Sequence, residues 1–406
     1  MLAVSLCTTL NHRLPFNPPI WVLMLLGAIV LLFTQHLSYL QAFESIQWDI
    51  IRYLFGVFIL AEGLDQAGLL TRLSGYIAQI CQTGVQVMYL IIYVMGFSSA
   101  ILMNDTTAII GAPIILKLTQ TQPQLRTPLL LALTYAVTLG SIFSPVGNPQ
   151  NLLIALHSPL KQPFLSFFKG LFFPTCLNIS LMAGFIHGYY RKVLIQPLSI
   201  SSLNNTPKSP ISIDSSLCAL ILFLILMLVH IISELTQHPI PLSIDEIALI
   251  SSTPILIFNS GRIKILKRID WGTLIFFLSL FIVVHSIWET GWIQHQMVPL
   301  QTQLSKLPII LTLSVLFSQF ISNVPLVALY LPVLSHLNAS SNAYLALAAG
   351  STLAGNILIL GAASNIIIVQ YFKKRKLEAF SCLTFTCIGL FLTPIHLWIY
   401  TLWLSI

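Results

Sequence analysis

Chemistry concentrates in four polar interruptions of otherwise apolar stretches. They are Met103-Asn104-Asp105-Thr106-Thr107, Ser144-Pro145-Val146-Gly147-Asn148-Pro149-Gln150-Asn151, Ser322-Asn323-Val324-Pro325 and Gly361-Ala362-Ala363-Ser364-Asn365. Proline removes a backbone donor and clashes with the preceding turn, while glycine permits unusual dihedrals, so helices should unwind there. Each interruption then ends one helix and starts another. A start presents unpaired N–H groups and about half a positive charge; an end presents free carbonyls and about half a negative one. Four starts suit a bound anion, and four ends suit sodium, which takes hard oxygen ligands. Asn104 or Asp105, Asn148, Ser322 or Asn323, and Ser364 are favoured helix caps, and Pro149 and Pro325 sit where a first-turn proline is tolerated. Capping alone explains any one of these residues; four interruptions at paired positions point to binding. The candidate substrate- and ion-binding residues are Asn104, Asp105, Thr106, Ser144, Gly147, Asn148, Asn151, Ser322, Asn323, Gly361, Ser364 and Asn365.

Asp105 stands apart. Of the 12 acidic residues it alone falls near the centre of an apolar segment. An aspartate at the middle of a membrane helix costs about 2.5 to 3.5 kcal/mol. It should be paired, protonated or bound to a cation, which suggests a proton or sodium coupling site; the plainer alternative is an N-cap for the helix that follows. Other chemistry is thin. No H-E-x-x-H spacing links the histidines, no G-x-x-x-x-G-K-[ST] is present, and the six cysteines form no C-x-x-C pair. The expectation is no catalytic residue, no metal site beyond possible sodium at the residues named, and no other cofactor. Met1–Leu10 lacks the basic start and cleavage pattern of a signal peptide.

The elements that must hold these residues follow from composition. Of 406 residues, 56% are hydrophobic and 8% charged, against about 25% charged in soluble domains. This is a polytopic all-α membrane protein. Apolar stretches long enough to cross a bilayer fall at 19–40, 48–64, 127–157, 168–190, 214–236, 242–258, 271–288, 343–372 and 380–404, the third and eighth being broken. The segments 85–119 and 307–337 have polar tips and arms mostly short for crossing, and read as two re-entrant hairpins; pairs of short spans are the alternative. Threading nine crossings puts 15 of the 19 Lys and Arg residues on one side, including Lys373-Lys374-Arg375-Lys376. Only Arg52, Lys161, Lys169 and Lys306 fall on the other. The positive-inside rule makes the basic side cytoplasmic, with the N-terminus inside and the C-terminus outside. The net charge of +7 is therefore a topology signal, and nucleic acid drops out as a partner.

The chain also repeats itself. Trp48 and Gly68 match Trp271 and Gly291 at offset 223, Asn104 and Pro113 match Asn323 and Pro332 at offset 219, and Leu131–Asn151 aligns on Leu345–Asn365 at offset 214. One extra span, 214–236, separates the copies, so an odd number of crossings inverts the second. The expected organisation is a first repeat over 1–198, a cytoplasmic linker at 199–216, and the extra span plus second repeat over 217–406. Inverted repeats with broken helices hold substrate where the copies meet in many secondary transporters. The copies differ at one point: Val324 occupies the place of Asp105.

On these residues the chain resembles the ion transporter superfamily, in the group of citrate-transporter-like permeases, arsenite permeases and sodium/proton antiporters. Asn104-Asp105-Thr106-Thr107 leading to Ala112-Pro113-Ile114, the Ser144–Asn151 break, Phe320–Pro325, and Ala354-Gly355-Asn356 through Asn365 carry the likeness. The resemblance implies a scaffold and a moving transport domain of two hairpins and two broken helices, usually dimeric, working as an elevator. In the divalent-anion branch Ser-Asn-Thr tips help to bind sodium and a carboxylate. Here the tips read Met103-Asn104-Asp105 and Ser322-Asn323-Val324, and the first is more like the arsenite and antiporter branches.

The expected protein is a secondary active transporter of a small anion in the cell inner (plasma) membrane, driven by a proton or sodium gradient and forming a homodimer. The alternative is a sodium/proton antiporter using Asp105. An intramembrane hydrolase would need a nucleophile and base that the sequence does not offer, and a channel needs no inverted repeat.

Overall fold

The computed structural model describes residues 20–67, 80–198, 212–237, 240–291, 295, 301–373 and 375–406. Gly68, Arg13, Arg72, Lys374 and linker residues 199–211 lie outside them. Among the described residues helix is the regular structure, with one isolated bridge between Thr83 and Pro197. The elements are α1 (Ile20–Phe33), α2 (Tyr39–Glu44), α3 (Trp48–Gln66), α4 (Gly84–Leu102), α5 (Asn104–Leu118), α6 (Arg126–Gly140), α7 (Pro149–His157), α8 (Pro163–Tyr189) and α9 (Ser212–Thr236). They continue as α10 (Ile244–Phe258), α11 (Arg262–Arg268), α12 (Trp271–Glu289), α13 (Leu307–Ile321), α14 (Asn323–His336), α15 (Ser341–Leu353), α16 (Ala363–Lys373) and α17 (Cys382–Leu404). Among the described residues, five helices are long and apolar enough to cross a membrane by themselves, α4, α8, α9, α12 and α17. Many bulky side chains on their outer faces are exposed, including Phe168, Phe173, Ile225, Leu228 and Trp398. That outward apolar surface is what lipid requires.

Two details differ from the sequence reading. The first span stops at Phe33, because Gln35 takes φ +53° and Ser38 caps the separate helix α2 with a Ser38–Gln41 capping box. Helix α9 begins at Ser212, so the last residues of the expected linker are already helical.

The two copies pack by exchanging partners. Helix α1 packs on α12 while its counterpart α10 packs on α3; α4 lies on α6 as α13 lies on α15; and α5 meets α16 as α14 meets α7. Reciprocal pairing of this kind is what a two-fold axis between inverted copies produces. Helices α1, α3, α9, α10 and α12 form one packed group, and the hairpins, broken helices, α8 and α17 form the other.

Small residues set the closest approaches, as they do where helices meet in lipid. A Cβ on Gly140 would collide with the Gly96 carbonyl between α6 and α4, and one on Gly350 would lie 2.8 Å from the Leu311 carbonyl between α15 and α13. In the other group a Cβ on Gly56 would stand 2.6 Å from the Ala248 carbonyl between α3 and α10. Gly56→Leu should therefore force α3 off α10 and cost about 1–3 kcal/mol or more. Gly184→Ala, where the added carbon meets nothing within 4 Å, should be neutral or mildly stabilising. Thermal unfolding of both variants in detergent checks the contrast.

Candidate binding site

Both hairpins turn at a single residue with the same unusual backbone. Met103 has φ +68° and ψ 151°; Ser322, its counterpart at offset 219, has φ +70° and ψ 163°. That region belongs almost wholly to glycine, and a side chain there costs on the order of 1–3 kcal/mol. The same strain at equivalent positions of both copies marks the tips as shaped features.

The breaks are built alike as well. In the first, the Gly147 amide donates to the Ser144 carbonyl (3.2 Å); in the second, the Gly361 amide donates to the Leu358 carbonyl (2.9 Å). A Cβ on Gly147 would collide with the Ser141 carbonyl, and one on Gly361 would meet the Ala354 carbonyl at 2.9 Å. An asparagine then closes each break from the next half-helix. Asn151 Nδ2 donates to the carbonyls of Ser141 (3.1 Å), Ile142 (3.1 Å) and Ser144 (3.0 Å), and Asn365 Nδ2 donates to that of Gly355 (2.6 Å). Gly355 is the counterpart of Ser141 at offset 214, so the two asparagines do the same work. These bonds supply the donors that unwound backbone needs in lipid.

The expected residues gather around these joints. The Asn104 amide donates to the Gly147 carbonyl (2.8 Å), tying the first tip to the first break. Asp105 lies against the main chain of Ser364, in the second break, across the boundary between copies. Asn148 caps α7 by accepting from the Asn151 amide (2.9 Å), and its Nδ2 donates to Ser141 Oγ (3.1 Å) and Thr352 Oγ1 (3.2 Å). Asn104, Asp105, Thr106, Ser144, Gly147, Asn148, Asn151, Asn323, Gly361, Ser364 and Asn365 are all buried, whereas Ser322 is exposed. Among the described residues no hydrogen bond joins one tip directly to the other. Side-chain capping holds at Asn148; at the tips the cap positions fall to Met103 and Ser322, neither of which caps through its side chain.

Several members escaped the sequence reading. Thr352 accepts from both Asn148 and Gln150 (3.2 Å each), linking the first break to α15 of the other copy. Gln319 Nε2 donates to the Ala354 carbonyl (2.9 Å), linking the second hairpin to the second break. Thr352 did leave a trace, as one of the residues shared with its counterpart Thr138. Gln319 left none, because an amide inside an apolar helix shows no partner until the fold is known.

The electrostatics are those of an acceptor-rich centre. Asp105 is 9% exposed, and among the described residues no Lys or Arg forms an ion pair with it. The charged group whose field reaches it is Asp270, of like sign. Buried polar atoms without a partner include Thr106 Oγ1, Asn151 Oδ1, Gln319 Oε1, Asn323 Oδ1, Ser364 Oγ and Asn365 Oδ1. In Asn151, Gln319 and Asn365 the nitrogen is held by backbone carbonyls, so the oxygen is the atom left free. Free buried acceptors of this kind cost about 1–3 kcal/mol each until something binds them.

A family model described as "Citrate transporter" (CitMHS) matches residues 15–350. The chain belongs to the citrate transporter family. The match takes in both hairpins and the first break and ends before the second. The 46 kDa membrane protein of Mycobacterium leprae is 27% identical over 345 residues, 81% of this chain and 79% of its own. The silicon efflux transporter LSI3 of Oryza sativa subsp. japonica is 33% identical over 147 residues, 36% of this chain and 30% of its own. In three dimensions the fold is similar to that of the Alcanivorax borkumensis YdaH transporter, with a TM-score of 0.55 at 14% identity over 88% of this chain and 84% of that one. This family member is a multi-pass membrane transporter.

Proposed function

We propose that the chain is a secondary active transporter of a small anion, driven by a proton or sodium gradient across the cell inner membrane. The observation that carries this reading is Asp105, buried at a hairpin tip against the opposite copy and, among the described residues, in no ion pair with a Lys or Arg. A carboxylate so placed needs a proton or a cation to offset its burial, and gains or loses it as the surroundings change. The starts of α5, α7, α14 and α16 supply N–H groups for an anion in a site without a paired cation. Asn104, Thr106, Ser144, Gly147, Asn148, Asn151, Ser322, Asn323, Gly361, Ser364 and Asn365 complete the proposed site. The hairpins, broken helices, α8 and α17 move as one body against the frame of α1, α3, α9, α10 and α12, exposing the site to each side in turn. The basic face is cytoplasmic, and the frame pairs with a second copy.

Sodium/proton exchange through Asp105 is the second reading. The free amide oxygens at the breaks favour it, because oxygen acceptors suit a small cation. A thermal-shift screen of citrate, succinate, sulfate, phosphate and arsenite, each in sodium or potassium, tests the first reading: one anion should stabilise, more so with its coupling ion. Substrate-free proteoliposomes test the second, since sodium-dependent collapse of a pH gradient without any anion supports exchange.

A further inference from the structure

An acidic residue stands at each end of the frame helix α3, and each meets the far end of one of the two equivalent half-helices. At one end Asp49 Oδ2 is 3.2 Å from Nε2 of His157, the last residue of α7. At the other end Asp65 lies in the fields of Arg268 and of Arg375, just beyond α16, whose guanidinium sits 3.7 Å over the Tyr371 ring. Tyr371 is the counterpart of His157 at offset 214. The frame thus faces the other body with a carboxylate at each end of the same helix, and among the described residues the Asp49 end alone closes into an ion pair with that body. The cations differ as well: arginine keeps its charge at every accessible pH, whereas an imidazole gains or loses its charge between about pH 5 and 8.

The His157 end opens onto a cavity of about 370 Å³ between the two bodies, lined by α2 (Gln41, Glu44), α7 (His157), α12 (His285, Trp288) and α14 (Ser335). The cavity brings water and protons to the imidazole, whose side chain is 29% exposed while Nε2, the nitrogen facing Asp49, is itself buried. The charged groups and histidines on the elements around it are Asp49 and Arg52 of α3, with Glu62 and Asp65 towards its other end, Glu44 of α2, His285 and Glu289 of α12, His336 of α14, and Lys169 of α8 with His187 towards its other end; α15 carries no charge. Among the described residues, Asp49 is the one that forms an ion pair with His157; Arg52 is held by Asp245 at 2.9 Å.

We propose that His157 is a second proton site, separate from Asp105, which latches the moving body to the frame on the outer face when that side is acidic. The proposal rests on the moving-body reading above. Protonated His157 attracts Asp49 across the boundary and holds this conformation; loss of the proton removes the attraction, so the body is freer as outer pH rises. A partly exposed pair of this kind shifts the balance of conformations about two- to five-fold.

Spin labels on Thr236→Cys, at the end of α9 in the frame, and Ser340→Cys, at the start of α15 in the other body, both exposed, report the motion in full-length protein reconstituted in nanodiscs. The native cysteines are replaced, and no solute is added. Between pH 5 and 8 a second distance should gain about two- to five-fold in population, and His157→Gln and Asp49→Asn should each abolish that pH dependence. A second distance whose pH dependence survives in His157→Gln overturns the latch and leaves the moving-body reading intact. A single distance at every pH and in every variant overturns both.

Discussion

Asp105→Asn should fold normally and lose gradient-driven transport. Asparagine matches aspartate in size and keeps its polar contacts, so neither the tip nor its link to the first break through Asn104 is disturbed. What it cannot do is take up a proton or neutralise a cation. If Asp105 carries the coupling ion, the free energy joining ion binding to solute binding disappears, and such couplings are worth about 5- to 150-fold. Uptake driven by a gradient should fall by a factor in that range, and the residual activity should no longer respond to pH or sodium. Solute-for-solute exchange at equal ion concentrations should survive, because it needs binding and motion and no net ion movement. The sign is fixed by the chemistry: a carboxylate binds its proton as pH falls, so in the parent protein a proton-coupled cycle responds to pH where the variant is flat. Unchanged uptake with unchanged ion dependence would remove Asp105 from the mechanism and return it to the plain role of a helix-start residue. Its counterpart Val324 predicts no matching effect in the second copy.

The order of helices, the two hairpins and the repeat were legible because their causes are local. Apolar length marks the spans, and proline, glycine and asparagine mark where helix must stop. The offset of 219 reappears as the matched backbone of Met103 and Ser322, and that of 214 as the equivalent bonds from Asn151 and Asn365. Less was legible at the tips. Asn104 and Asp105 read as caps by residue type, yet the chain reverses one residue earlier, at Met103, in a backbone region that no residue preference for methionine would suggest. The turn is tied to the first break by the bond from the Asn104 amide to the Gly147 carbonyl, a contact between residues far apart in the chain that a sequence does not show. Thr352 and Gln319 were hidden for the same reason, since each acts on an element distant in the chain.

The breaks themselves make the strongest prediction about stability. Asn151 serves three carbonyls of the first break, whereas Asn365 serves one in the second. The difference has a local origin. Gly355 stands in for Ser141, and the chain between it and Gly361 folds into two short 3₁₀ turns, Ala354–Asn356 and Ile359–Gly361. In those turns the Ile357 and Gly361 amides take up the Ala354 and Leu358 carbonyls. The first break shares the second of these bonds, from Gly147 to Ser144, but has no counterpart of the first, and it leans on its asparagine for the Ser141 and Ile142 carbonyls. Leucine has nearly the shape of asparagine and no donor. Asn151→Leu would keep the packing and strand the Ser141 and Ile142 carbonyls, while Ser144 would retain the Gly147 amide. At about 1–3 kcal/mol for each buried group left unpaired, that variant should lose about 2–6 kcal/mol and Asn365→Leu about 1–3. Thermal unfolding of the two in one detergent should therefore rank Asn151→Leu as the less stable by a clear margin. Asn365→Leu should still fold well enough to be assayed, and because it also removes a free oxygen beside Ser364 it should weaken ion or solute binding. The reverse ranking would mean that the second break, not the first, depends on its asparagine to exist in lipid.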